Sequence, residues 1–200
     1  MARKGFFPAP RIGGGAWRGR KLLPPEGTAT RPITGLAKKS LFGMLAGRLE
    51  QAVVLDLYCG TGTLGLEALS RGARRCAFAE CSHSALARLK RNITSCGAED
   101  KSLIWPGDLE KKLTARLGEL REKADLAFVD PPFSSVRRWN WGQMVERLFA
   151  PLAAALAEDG LVVLRLPGDA PPPESLGLLA LQRTRRYGDM TISFYEAGSQ

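Results

Sequence analysis

Histidine is almost missing from this chain of 200 residues: His83 stands alone, and the four cysteines (Cys59, Cys76, Cys81, Cys96) form no CxxC pair. Structural zinc needs clustered Cys and His ligands, and a disulfide framework needs paired cysteines in an oxidising compartment. Both readings are set aside: no metal is expected, and the cysteines are read as small buried residues in a reducing cytosol. Long apolar runs are missing too. No stretch approaches the roughly 20 residues that span a bilayer. The opening MARKGFFPAPRIGGG is basic, but no apolar segment of about 7 to 15 residues follows it, so no secretory signal is expected. These absences point to a cytoplasmic protein with no membrane partner.

Acid is scarce in one place. Residues 1–50 hold ten lysines and arginines against only Glu26 and Glu50, a net +8 of the chain's +9. A nearly neutral body behind a basic front suggests a polyanion met by one face; a solubilising basic tail is the plainer alternative. At 44% hydrophobic residues the chain can bury a full core. Its length suits one domain, residues 34–200, preceded by a basic arm or hairpin, residues 1–33.

Behind that arm the pattern alternates. Thr34 can cap a helix carrying Leu36, Leu41, Met44, Leu45 and Leu49. VVLDLY (53–58) reads as a strand buried on both faces. A helix over 63–71, a strand at 76–80 and a Ser82-capped helix ending at Gly97 follow. Next come a strand at 101–105, a helix over 108–123, a strand at 125–130, a helix over 143–158 and a strand at 160–166. Two last strands, 178–185 and 190–196, flank a tight Tyr187-Gly188-Asp189 turn. Strands alternating with helices predict an open, mostly parallel α/β sheet with an antiparallel final hairpin.

Between the first strand and its helix lies Asp56-Leu-Tyr58-Cys59-Gly60-Thr61-Gly62-Thr-Leu-Gly65, a G-x-G-x-x-G loop, with Glu80 about 20 residues beyond its first glycine. Glycines allow a tight turn and close backbone approach, while a carboxylate accepts hydrogen bonds from ribose hydroxyls. Both a nicotinamide dinucleotide and S-adenosylmethionine carry an adenosine that needs these parts. Asp56 separates them. A buried acid beside the loop suits the ammonium and sulfonium of the methyl donor and would repel a pyrophosphate. Asp108, with Leu109, follows the third strand, where it can meet the adenine amino group or simply cap a helix. Cys81 flanks Glu80 in the same predicted pocket.

Asp130-Pro131-Pro132-Phe133 ends the fourth strand, at the sheet edge where ligands of such folds sit. An amino group conjugated to a base ring is a poor nucleophile because its lone pair is delocalised. Asp130 and the Pro131 carbonyl can accept its hydrogens and aim the nitrogen. The prolines stiffen the turn and bring no competing N–H. Phe133 offers a face for base stacking, worth about 1–3 kcal/mol. Such chemistry works by positioning and electrostatics, without a metal or covalent nucleophile. Tetrads of this kind serve DNA, RNA and protein-glutamine substrates alike. Arg137, Arg138, Trp139 and Trp141 come next, either to touch a flipped base or to pack on the sheet.

These residues together resemble the bacterial small-subunit rRNA guanine-N2 methyltransferases, the RsmD group. The resemblance spans nearly the whole chain: Arg11-Ile-Gly-Gly-Gly-Ala-Trp-Arg18-Gly-Arg20-Lys21-Leu, Arg31-Pro-Ile-Thr34, DLYCGTGTLGLEALSRGA (56–73), Asp130–Phe133 and Tyr187–Tyr195. It implies a class I, Rossmann-like seven-stranded sheet and S-adenosylmethionine as cofactor. It further implies methylation of one guanine N2 of 16S rRNA, within an assembled small subunit; the protein is expected to be a monomer. The basic hairpin then becomes a docking element, with Arg11, Arg18, Arg20, Lys21, Arg31, Lys38, Arg137 and Arg138 as RNA contacts. Two departures stand out. Ile33 replaces the Thr of the family's Arg-Pro-Thr and Gly35–Lys39 stand where Arg and Glu are usual; Cys81 stands where a second acid is common. The competing functions are a DNA or protein methyltransferase using the same tetrad, a non-catalytic ribosome assembly factor, and a dinucleotide oxidoreductase.

Overall fold

The computed structural model describes residues 9–26 and 33–197; Arg31 lies outside them. Eight strands form one sheet: β1 (Val53–Leu57), β2 (Arg75–Glu80), β3 (Ser102–Pro106), β4 (Ala124–Val129), β5 (Leu156–Pro167), β6 (Ser175–Leu176), β7 (Leu179–Tyr187) and β8 (Met190–Ala197). Their order is β3-β2-β1-β4-β5-β8-β7-β6. The first five run parallel and the last three antiparallel. Every side chain of β1 is buried, as in a strand covered on both faces. The sheet has one strand more than expected, the two-residue β6 pairing with β7 at the edge.

Helices α1 (Gly35–Met44), α2 (Thr63–Ser70) and α3 (His83–Cys96) cover one face; α4 (Leu109–Leu117), α6 (Trp141–Met144) and α7 (Ala150–Ala155) cover the other. Thr34 and Ser82 cap α1 and α3, and Gly97, in the left-handed region, ends α3. Among the described residues no helix is long and apolar enough to cross a membrane.

Two predicted helices are shorter than the sequence pattern suggests. α4 stops at Leu117, and Gly118 leads into successive tight turns (Glu119 N to Arg116 O 3.1 Å, Leu120 N to Leu117 O 3.1 Å). The helix expected over 143–158 is cut three ways. A wide π-helical turn at Val145–Phe149 separates α6 from α7, and β5 already begins at Leu156. Pro151 has no N–H for an i→i−4 bond, so a regular helix could not run through this stretch unbroken. Leu156 instead pairs with Ala124 across a register shift, and Gly160 fits where a Cβ would lie 2.9 Å from the Ala157 carbonyl oxygen.

Residues 10–22, part of the basic front, form a hairpin. Arg11 bridges Lys21, Ile12 N donates to Arg20 O (3.0 Å) and Leu22 N to Pro10 O (2.8 Å). Ile12 and Leu22 enter the core of the α1–α3 face, each worth about 1.5–3 kcal/mol of burial. The glycines make the dock: a Cβ on Gly15 would sit 1.7 Å from the Ser70 carbonyl oxygen. Ser70 Oγ donates to Gly14 O and accepts from Trp17 N. Beneath the hairpin, the fully buried Glu67 accepts from Gly13 N (2.7 Å), Lys38 Nζ (2.7 Å) and Arg71 Nε (2.8 Å).

Candidate active site

The switch in strand order falls between β1 and β4, and open α/β sheets take ligands beside such a switch, at the C-terminal ends of their strands. Register sets what lines it. Asp56 pairs with Phe78 and Phe128, and Leu57 pairs with Ala79 and Val129. Glu80 and Asp130 therefore emerge at the same level on either side of the β1 end. Asp130 N donates to Leu57 O (3.1 Å), fixing that level.

The chain leaves β1 through Tyr58, a non-glycine residue with φ 60°, and then Gly60 and Gly62 at φ 55° and 82°. Gly65 must be glycine for packing, because a Cβ there would meet the Phe78 ring at 2.3 Å. The loop wraps around two carboxylates. Glu80 accepts from Gly60 N through one oxygen, and from Cys81 N and Ser82 N through the other, each at 2.8 Å. Asp56, 1% exposed, accepts from Gly65 N (2.8 Å) through Oδ2. Its Oδ1 is buried with no partner. Burial pushes the Asp56 carboxyl well up; the Gly65 hydrogen bond opposes this, and the neighbouring charges of Asp130 and Glu80 add to it. A buried carboxylate oxygen without a partner is costly unless a donor or a cation meets it.

Thr61 and Cys59 are buried in this loop, and Leu109 beside it. The Thr61 carbonyl accepts from Asn92 Nδ2 (2.9 Å). The same amide accepts from Leu23 N (2.7 Å) and donates to Leu23 O, so one buried Asn ties the hairpin to the loop. Tyr58 Oη donates to Glu110 (3.2 Å). Asp108 caps α4, accepting from Glu110 N (3.1 Å); Cys81 is exposed beside Glu80.

Pro131 is buried, and Pro132 leads into a one-turn helix, α5 (Phe133–Val136). Asp130 Oδ1 accepts from Arg165 Nε, and the Arg165 guanidinium carbon lies 5.0 Å from the Phe133 ring centre. Burial pushes the Asp130 carboxyl up, and the charge and hydrogen bond of Arg165 draw it only part of the way back. Arg165 and Asn92 belong to no motif that the sequence pattern singles out, and Glu67 lies within the 56–73 stretch without a role assigned to it there. Arg165 and Glu67 share a signal all the same: each is a lone charge in an apolar stretch, LVVLRL for Arg165 and TLGLEALS for Glu67.

The expected RNA contacts divide. Arg18, Arg20 and Lys21 are exposed on the hairpin, as is Arg138 beyond the tetrad. Arg11 is exposed and donates to Gly19 O (3.0 Å). Arg137 is clamped by both oxygens of Asp169 (2.7 and 3.0 Å). Lys38 is a correction: its ammonium is held inside by Glu67 and the Arg11 carbonyl, because α1 turns it toward α2. Trp139 packs among Tyr58, Trp141 and Phe149, with ring centres 5.5–6.4 Å apart, and so serves as a wall of the core. A cavity of about 470 Å³ between α4 and α7 lies near Lys123, at the opposite end of β4, away from these groups.

Comparison with known proteins matches this framework. YlbH of Bacillus subtilis (strain 168), which carries the name of an rRNA methyltransferase, is 30% identical over 187 residues, 93% of this chain and 98% of its own. Ribosomal RNA small subunit methyltransferase D of Escherichia coli (strain K12) is 35% identical over 123 residues, covering 62% of this chain and 60% of that one. The solved structure of the Escherichia coli protein yhhF, named as a methyltransferase, superposes with a TM-score of 0.78 at 28% identity, over 96% of this chain and all of that one. The family model described as Conserved hypothetical protein 95 matches residues 10–196. The chain belongs to that family, the RsmD family of rRNA methyltransferases.

Proposed function

We propose that this protein transfers the methyl group of S-adenosylmethionine to the exocyclic N2 amine of one guanine in small-subunit rRNA. The observation that carries the reading is the placing of Asp130, at the head of a Pro-Pro turn one strand from a glycine loop that encloses an acid with one unpartnered oxygen. The residues fit the cofactor: Asp56 Oδ1 would take its ammonium, Glu80 its ribose hydroxyls and Asp108 its adenine amine. When bound, it supplies a methyl group on a sulfonium that leaves as a neutral thioether.

Asp130 and the Pro131 carbonyl accept the two amine hydrogens and turn the nitrogen lone pair toward the methyl carbon. Phe133 stacks the base. Pro131 and Pro132 hold these acceptors without a competing N–H. The nitrogen becomes cationic as the N–C bond forms, and its surplus proton passes to Asp130 or to water. Residues 1–33 form the docking arm in this account, with Arg11, Arg18, Arg20 and Lys21 meeting phosphates of an assembled subunit. The +8 charge of the first fifty residues supports that role.

Asp130→Ala tests the reading. Methyl transfer should fall by at least about 100-fold, the scale of losing one preorganised electrostatic interaction. Cofactor affinity, followed by calorimetry, should stay within about threefold of wild type, below the roughly 0.7 kcal/mol that matters here. A collapse of cofactor binding would remove Asp130 from the amine-binding role.

A further inference from the structure

β5 is apolar from Leu161 to Leu166 except at one position, Arg165. That residue is only 7% exposed, and a buried charge is costly unless it is paired. Two of its contacts fall on the tetrad side chains that the proposed chemistry uses: Nε donates to Asp130, and Cζ lies 5.0 Å from the Phe133 ring centre. Register explains the meeting. Val129 pairs with Leu164 in parallel β4 and β5, so Asp130 and Arg165 come next at the same level, and strand alternation turns both to one face.

We propose that Arg165 is the positioning residue of the methyl-transfer site: it fixes Asp130 as a carboxylate in one orientation and covers one face of Phe133, directing the amine to Oδ2 and its base to the opposite ring face. This rests on reading Asp130–Phe133 as the methyl-accepting site.

The electrostatics agree with the geometry. Among the described residues, the charged groups facing Asp130 are Arg165 from β5 and Asp56 from β1, with Glu80 beyond Asp56. Without Arg165, the described charges around Asp130 would all be acidic, and burial would leave it protonated at higher pH. A protonated carboxyl would then offer its own O–H where an acceptor is needed. Arginine suits the position because its planar group can donate from its edge while its face lies on a ring.

The test uses full-length protein labelled with ¹³C-aspartate, as wild type, Arg165→Met and Arg165→Lys. In Arg165→Met the Asp130 carboxyl titration should move up by at least about one pH unit, the effect of losing one close opposite charge. The acidic limb of kcat on unmethylated small subunits should move with it, while KM changes little. Arg165→Lys should restore the titration but regain only part of kcat, because an ammonium cannot stack as a plane. An unmoved Asp130 titration in folded Arg165→Met, or a loss of kcat with no shift of the limb, would overturn the role given to Arg165. A wild-type protein that transfers no methyl group to any subunit would instead overturn the site reading beneath it.

Discussion

Two buried acids, Asp56 on β1 and Glu67 on α2, are treated in opposite ways. Glu67 has a backbone N–H and two cations on its oxygens, so its charge is met from three sides. Burial would raise its carboxyl, but the hydrogen bonds from Lys38 and Gly13, the Lys38 charge and the Arg71 bond hold it below the usual range. Asp56 has one backbone N–H, an unpartnered oxygen and two acidic neighbours. The first acid assembles the fold, joining hairpin, α1 and α2. The second keeps one buried oxygen without a partner, and in the proposed function that oxygen takes the cationic group of the cofactor. Burial alone does not mark a functional residue; an unmet valence does.

The contrast breaks most sharply at Glu67. Glu67→Gln leaves Lys38 buried beside a neutral amide and should cost about 3–5 kcal/mol, read from urea unfolding. If the loss is under about 1 kcal/mol, the range of a surface pair, the dock is not the keystone described. Asp56→Asn should do the reverse. It should weaken S-adenosylmethionine binding by about 10- to 100-fold, the worth of one hydrogen bond to a charge. It should also stabilise the ligand-free protein by about 1 kcal/mol, a rise of roughly 2–4 °C in Tm. A fall in Tm with affinity intact would show that Asp56 is structural.

pH sharpens the same difference. Glu67, held low, contributes stability above the ordinary glutamate range and loses it as pH falls through its depressed value. Asp56, held high, contributes most below the ordinary aspartate range and loses that as pH rises through its elevated value. Glu67→Gln should therefore flatten the acid side of a Tm-against-pH curve, and Asp56→Asn the side above it. Gly15→Ala comes next in size, since the Cβ would strike the Ser70 carbonyl. A cost of about 1–3 kcal/mol is expected from such overpacking, with hydrogen exchange rising in residues 10–22 before the sheet. The smallest effect belongs to the exposed hairpin. Alanine at Arg18, Arg20 and Lys21 should leave Tm unchanged and lower the salt slope of subunit binding by about one for each phosphate no longer neutralised. An unchanged slope would take RNA off this face.

Much of this is legible in the residues. The alternation of apolar runs and capped helices marks the sheet, and the glycine loop, Glu80 and the tetrad fall together because parallel strands end at one edge. What the residues hide is tertiary. Lys38 reads as one of several basic residues, and only the crossing of α1 over α2 turns it onto Glu67. Arg165 sits 35 residues after Asp130, and only the β4–β5 register joins them. Trp139 could stack a base or fill the core, and its packing on Phe149 favours the core. The break at Val145–Phe149 follows from Pro151, which disturbs the helical turn before it even where the apolar spacing runs on.

The acceptor atom decides the function. Small ribosomal subunits from a strain lacking this gene should be incubated with the protein and tritiated S-adenosylmethionine, and the labelled nucleotide mapped. One labelled guanine in small-subunit rRNA, methylated on N2, is expected, and no label with Asp130→Ala. Label in large-subunit rRNA, DNA or protein, or on another atom of the base, would contradict it.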